Sequence, residues 1–182
     1  MRIISGKFKG HRLVSFDAKH IRPTTDRVKE TIFNKLMGIT EGSRVLDLFS
    51  GTGNLGIEAL SRDAESVVFV EEHAKSLSIL KENLKKLRIE SGFKIQPIDV
   101  FKFLKRYEGE PFHVILVDPP FTETIADKVM EAIGVSKVFG VGTVVAIESA
   151  AKEPIGDAYS SLILLDRKNY GDKNLSIYEA KP

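Results

Sequence analysis

Apolar runs recur along the chain at 44–48, 66–70, 94–98, 112–117 and 143–148, each nearly continuous, and stretches of helical period separate them. The clearest helical stretch runs from Ala74 to Arg88 with Leu77, Leu80, Leu84 and Leu87 on one face. Another covers 123–133, with Ala126, Val129, Met130 and Ile133 at the same spacing. Strands that are apolar on both sides need cover on both sides, so the pattern predicts a parallel sheet with helices on either face. The end of the chain differs. Leu162–Leu165 and Leu175–Tyr178 read as strands with no helix between them, which predicts an antiparallel hairpin and seven strands in all. Ahead of the sheet, residues 2–14 read as two short strands around Gly6 to Gly10. Arg22-Pro23-Thr24-Thr25-Asp26 reads as an extended lead-in and helix cap. The helix it opens turns Val28, Ile32, Phe33 and Leu36 inward and Arg27, Lys29 and Glu30 outward, and Gly38 and Gly42 end it.

A chain of 182 residues can bury a full core, so a single α/β domain is expected, with 1–38 as an N-terminal extension and 43–182 as the core. The net charge of +2 hides an uneven distribution: residues 1–36 hold nine Lys/Arg against three acids. A basic arm beside a slightly acidic body attracts a polyanion, which points to nucleic acid. There is no Cys, so a thiolate metal site and a disulfide framework are both excluded. His11, His20, His73 and His113 are scattered without ligand spacing, and no metal is expected. The first 20 residues carry no apolar run of signal-peptide length, and no stretch reaches the roughly 18 residues of a membrane span. A cytoplasmic protein, without membrane and as a monomer, is the expectation.

Chemistry concentrates in residues 45–56, Val-Leu-Asp-Leu-Phe-Ser-Gly-Thr-Gly-Asn-Leu-Gly. A strand ends near the carboxylate of Asp47, and a turn through Gly51 and Gly53 opens a helix at Asn54. Glycines let such a turn come close to a small molecule while the N–H groups of the new helix face it. Gly51, Gly53 and Gly56 also spell G-x-G-x-x-G with Glu71 following, a dinucleotide fingerprint. Two features point elsewhere. Asp47 is an anion that a pyrophosphate does not want nearby, and a second motif lies at 118–121. Each of the first four strands ends in an acid: Asp47, Glu71, Asp99 and Asp118. Ligands of open parallel sheets sit at those ends.

The second motif is Asp118-Pro119-Pro120-Phe121. Two prolines stiffen the loop and remove two backbone donors, so the carbonyls are open to a donor such as an exocyclic amine. Bonds from that amine to Asp118 and to the Pro119 carbonyl would localise a nitrogen lone pair that is otherwise delocalised into the ring. Phe121 would stack on the base.

Asp-Leu-Phe-Ser-Gly-Thr-Gly resembles the first motif of the class I S-adenosylmethionine-dependent methyltransferases, whose Rossmann-like, seven-stranded plan with a terminal hairpin matches the strand pattern. The resemblance implies S-adenosylmethionine as cofactor. Glu71 would take its ribose hydroxyls, with Glu72 as a further partner. Asp99 and the Val100 N–H would take its adenine. Gly51 and Gly53 would lie beneath its methionine part, with Asp47 facing the cationic end and Phe49 packing on it. Asp118-Pro119-Pro120-Phe121 resembles the signature of methyltransferases acting on base amino groups. Arg-Ile-Ile-Ser-Gly-Lys-Phe-Lys-Gly, Arg-Pro-Thr-Thr-Asp-Arg-Val-Lys-Glu-Thr-Ile-Phe-Asn, Gly-Ile-Glu-Ala-Leu-Ser-Arg and Tyr170-Gly171-Asp172 resemble the RsmD family of bacterial small-subunit ribosomal RNA guanine-N2 methyltransferases over nearly the whole chain. That implies methyl transfer to guanine N2 in ribosomal RNA within a largely assembled small subunit, with Arg22, Thr24 and Arg27 as binding residues. Two positions depart from the family: His11 replaces a basic residue, and Asp63 replaces a helix-ending Gly, whose left-handed conformation Asp tolerates. The competing readings are an adenine-N6 DNA methyltransferase, a dinucleotide-dependent oxidoreductase and a non-catalytic RNA-binding module.

Overall fold

A computed structural model describes residues 1–15 and 26–182. Among them helices and strands follow one another as α1 (Asp26–Lys35), β1 (Arg44–Leu48), α2 (Asn54–Ser61), β2 (Ser66–Val70), α3 (Ala74–Lys86), β3 (Phe93–Gln96), α4 (Val100–Arg106), β4 (Val114–Val117), α5 (Ala126–Gly134), β5 (Val144–Ala150), β6 (Ala158–Tyr159), β7 (Leu162–Tyr170) and β8 (Lys173–Ala180). All strands join one sheet in the order β3-β2-β1-β4-β5-β8-β7-β6. The pairs from β3 through β5 are parallel, whereas β8 runs against β5, β7 against β8, and β6 against β7. The winding reverses between β1 and β4, where an open α/β sheet leaves its ligand crevice.

The expected strand count of seven is one short, because β6 is only two residues, Ala158 and Tyr159, and is too brief to register as an apolar run. The final hairpin is also longer than its apolar runs. It continues to Tyr170 and Lys173 in mostly polar residues, as an antiparallel ribbon with one wet face can. The N-terminal hairpin, by contrast, shrinks to one bridged pair, Arg2 with Arg12.

Side chains alternate across the sheet with period two and feed two cores. Val45, Val67, Phe69, Val114, Leu116, Val144, Ala146, Leu175 and Ile177 pack under α1, α2 and α3. Leu46, Leu48, Val70, Ile115, Val117, Val145, Ile147 and Tyr178 pack with residues of α4 and α5. The same alternation puts Asp47, Asp118, Glu148 and Lys173 on the α1–α3 side, at or just past the strand ends that form the crevice.

Helix α1 buries Val28, Ile32 and Phe33 as expected, but Lys29 is buried as well, not turned to water. Lys29 precedes Ile32 and Phe33 by three and four residues, so the helical period places it in the apolar stripe. Its ammonium donates to the Arg2 carbonyl (2.6 Å) and to Asn54 Oδ1 (2.9 Å), and lies 3.1 Å from Glu58 Oε2. Glu58, fully buried on α2, also accepts from the Ile4 and Ser5 N–H groups and from Arg62 Nε. Burial pulls the Lys29 pKa below its ordinary value, and the Glu58 carboxylate opposes that fall. One buried ion pair thus fastens the N-terminal arm and α1 to the helix that opens the glycine turn. Asp63, after α2, takes φ of 65°, the left-handed conformation expected of it.

Candidate active site

The turn between β1 and α2 is held from below and from both sides. Asp47 points toward α2, is 1% exposed, and accepts the Gly56 N–H at 2.9 Å. Gly56 permits this approach: a Cβ there would lie 2.3 Å from the Phe69 ring and 2.8 Å from Asp47 Oδ2, so only glycine lets α2 sit this close to the sheet. Gly53 stands just before α2 with φ of 88°. Phe49, half-buried against the α4–α5 core, has φ of 58°, an unusual value for a bulky residue. Backbone strain of this kind marks a turn whose course is imposed by its surroundings.

Glu71, at the end of β2, accepts the Gly51 N–H through Oε2 (2.9 Å) and the His73 N–H through Oε1 (2.8 Å). Asn83 of α3 reaches the turn from the other side. It donates to the Thr52 carbonyl and the Val14 carbonyl, both at 3.0 Å, and accepts the Val14 N–H at 2.7 Å. The structure therefore brings Asp47, Phe49, Gly51, Gly53 and Glu71 into one braced turn. Glu72 next to it is exposed. Asp99 caps α4, accepting the Lys102 N–H at 2.8 Å, and Val100 is buried in the first turn of that helix. Burial raises the Asp47 pKa to about 8; the Gly56 hydrogen bond lowers it, and the carboxylates of Asp118 and Glu71 push it further up.

Asp118 follows β4 beside a second set of groups. Pro119 is buried, Pro120 is exposed, and Phe121 is 44% exposed, which is unusual for so large an apolar ring. A small cleft is lined by these four residues together with Glu148, Ser149, Ala150, Glu153 and Lys173. Lys173 Nζ lies 2.8 Å from Glu148 Oε2, 3.8 Å from Asp118 Oδ1 and 5.9 Å from the centre of the Phe121 ring. Burial pulls the Lys173 pKa down, but Asp118, Glu148 and Asp172 outweigh it and the pKa stands above its ordinary value. Glu153 accepts the N–H groups of Ala126 (2.7 Å) and Ala150 (3.1 Å), and so holds the start of α5 against the end of β5.

Arg27 lies on α1 with its guanidinium 5.9 Å from the Tyr170 ring centre, and the Tyr170 hydroxyl donates to Thr31 (2.9 Å). Arg22 and Thr24 fall outside the described residues. A hollow of about 360 Å³ between α3 and β3, lined by Lys81, Leu84, Lys85 and Arg88 among others, contains none of the candidate residues. Among the described residues no group of His, Asp and Glu could hold a metal ion, and no helix is long and apolar enough to cross a membrane.

No motif assigns a site role to Lys29, Glu58, Asn83, Glu148, Glu153 or Lys173. For Lys29 the signal was present in the helical period. For Glu148 it lay in the strand-end rule already applied to the first four strands, because Glu148 stands near the end of the fifth.

A sheet wound in this order, with a glycine turn after β1, an acid after β2 and Asp-Pro-Pro-Phe after β4, defines a class I methyltransferase. The family model described as Conserved hypothetical protein 95 matches residues 1–179. The chain belongs to this family, the RsmD family that its motifs resemble. The Ribosomal RNA small subunit methyltransferase D of Haemophilus influenzae is 33% identical over 98% of this chain and 93% of its own length. YlbH of Bacillus subtilis is 34% identical over the full length of both chains. The solved structure of yhhF from Escherichia coli superimposes with a TM-score of 0.88 at 29% identity, covering 100% of this chain and 98% of that one.

Proposed function

We propose that this chain transfers a methyl group from S-adenosylmethionine to the exocyclic N2 of a guanine in small-subunit ribosomal RNA, as a single methyltransferase domain working in the cytoplasm. The observation that carries the reading is the half-exposed Phe121 beside Asp118, on the same sheet edge as the braced glycine turn.

The residues of the turn suit S-adenosylmethionine. A Cβ at Gly51 would meet only the Phe49 carbonyl, at 3.9 Å, so the turn leaves open room there. The acids around the crevice suit a ligand with hydroxyls at one end and a positive charge at the other. Glu71 and Glu72 would hold the ribose, and Asp99 with the Val100 N–H the adenine. Gly51, Gly53 and Phe49 would receive the methionine part. Asp47, fully buried, acts through the turn by fixing α2 rather than by touching the ligand.

The cofactor supplies an electrophilic methyl group. Asp118 and the Pro119 carbonyl accept the two N–H bonds of the target amine, concentrate its lone pair and hold it in line. Phe121 stacks on the base, worth roughly 1–3 kcal/mol against the cost of unstacking it. Once methylated, the nitrogen would pass one proton to the Asp118 carboxylate that already accepts its N–H, and from there to solvent. Arg27, on α1, would meet RNA phosphates, and Arg22 and Thr24 are further candidates for binding RNA.

The test is incubation of labelled S-adenosylmethionine with unmodified small subunits, naked ribosomal RNA and duplex DNA, followed by nucleoside analysis. N2-methylguanosine from the subunits is the expected product. N6-methyladenine from the DNA would overturn the substrate assignment.

A further inference from the structure

Beyond the amine itself, a base is defined by what flanks that amine. Guanine N2 has a ring donor on one side, N1–H, and a ring acceptor on the other, N3. Adenine N6 has acceptors on both sides, N1 and N7. A site for guanine N2 therefore needs one acceptor and one donor beside the group that takes the amine, while a site for adenine N6 needs donors only.

The cleft at Asp118 holds such a pair. Glu148 is 3% exposed and stands on β5, next to β4, at the level of Asp118: Val117 is in register with Ile147, so the residues that follow lie side by side on the same face. Lys173 enters from β8, whose antiparallel register sets it opposite Ala150. Its Nζ lies 2.8 Å from Glu148 and 3.8 Å from Asp118, on the Phe121 side of the cleft. The three charged groups thus form one cluster, two carboxylates and one ammonium.

We infer that Glu148 and Lys173 are the base-reading pair of the target cleft, Glu148 accepting the ring N1–H of guanine and Lys173 donating to a ring acceptor, while Asp118 takes the N2 amine. The inference rests on the proposed guanine-N2 reaction and adds the residues that choose the base. An ionised Glu148 facing adenine N1 would set a carboxylate against a lone pair, so adenine is refused by electrostatics as well as by the missing bond.

The discriminating substrate is 2-aminoadenine, which keeps the N2 amine and N3 but replaces N1–H with an acceptor and O6 with an amine. Small subunits would be reconstituted with ribosomal RNA carrying guanine or 2-aminoadenine at the mapped methylation position. Wild-type kcat/KM is expected to be at least about 100-fold lower on 2-aminoadenine, and Glu148→Gln, whose amide can donate as well as accept, should narrow that ratio to below about tenfold. Lys173→Met should lower kcat/KM on guanine by roughly 10- to 100-fold through the loss of a charged donor. The thermal shift given by S-adenosylhomocysteine should persist in both variants, which shows that they fold and hold the cofactor side intact. A wild-type enzyme that makes N2-methylguanosine but does not distinguish the two bases, or a Glu148→Gln variant with the wild-type ratio, overturns the pair alone. Absence of N2-methylguanosine from wild type overturns the reaction on which it rests.

Discussion

The turn after β1 and the loop after β4 stand on the same sheet edge and are built in opposite ways. In the first, N–H and carbonyl groups are already engaged by the protein's own side chains: Asp47 on Gly56, Glu71 on Gly51, Asn83 on Thr52, and Lys29 on Asn54. In the second, Pro120, Phe121, Thr122, Glu123 and Thr124 are exposed, and an aromatic ring faces solvent. The contrast is what the two proposed ligands require. A small cofactor is bound best by a cradle set before it arrives, because ordering the cradle afterwards would weaken binding. A base that must leave its stack needs a surface that stays open until it comes.

Breaking each side in turn should give different losses. Asp118→Ala, on the open side, should lower kcat by at least about 10³-fold, since positioning of the amine goes with it. Cofactor affinity should stay within about threefold, because the turn after β1 keeps its braces. Equilibrium dialysis and single-turnover rates separate the two, and a wild-type rate would remove Asp118 from the chemistry. Glu58→Ala strikes the braced side through its foundation. It leaves the Lys29 ammonium buried without its carboxylate and should cost about 3–5 kcal/mol in denaturant unfolding. A loss below about 1 kcal/mol would mean that Lys29 finds water instead.

Glu71→Ala should weaken cofactor binding by roughly 10- to 100-fold, the worth of one or two charge-assisted hydrogen bonds, with little change in kcat at saturation. Unchanged affinity in calorimetry would take Glu71 out of the site. The last effect concerns pH. Asp47 titrates near 8 in the fold against an ordinary 3.8, so the native state keeps a proton that the unfolded chain has released. Its contribution to stability is full below the lower value and is lost as the pH rises through the higher one. Asp47→Asn should therefore flatten the fall in melting temperature between about pH 6 and 8, and parallel curves for the two proteins would refute the assignment.

Much of the fold is legible in the chain itself. Strand-end acids, the glycine turn and Asp-Pro-Pro-Phe are local patterns, because a loop that meets a ligand needs particular residue types within a few positions of one another. Residues that meet only through tertiary register gave no such sign. Asn83 bonds to Val14 from 69 positions away, and Lys173 reaches Glu148 from 25. The misplacement of Lys29 has a different cause. Its charge argues for water while the period of α1 argues for the interior, and a distant acid on α2 makes the burial tolerable. The missed β6 shows the lower limit of pattern reading, since two residues carry no period.

The reversal of β8 has a topological consequence. Parallel strands deliver only their carboxyl ends to the rim where the chemistry lies, but a strand running the other way delivers its beginning. The tight turn at Gly171 and Asp172, between β7 and β8, is thereby hung over the active rim by a ribbon whose far end is anchored deep in the sheet. Its tip is tied down on both sides, by the Ala151 N–H on the Asp172 carbonyl and by the Tyr170 hydroxyl on Thr31. In that sense the hairpin is a tool head on a fixed handle: its tip sets Lys173 beside Glu148 while its far end stays within the sheet.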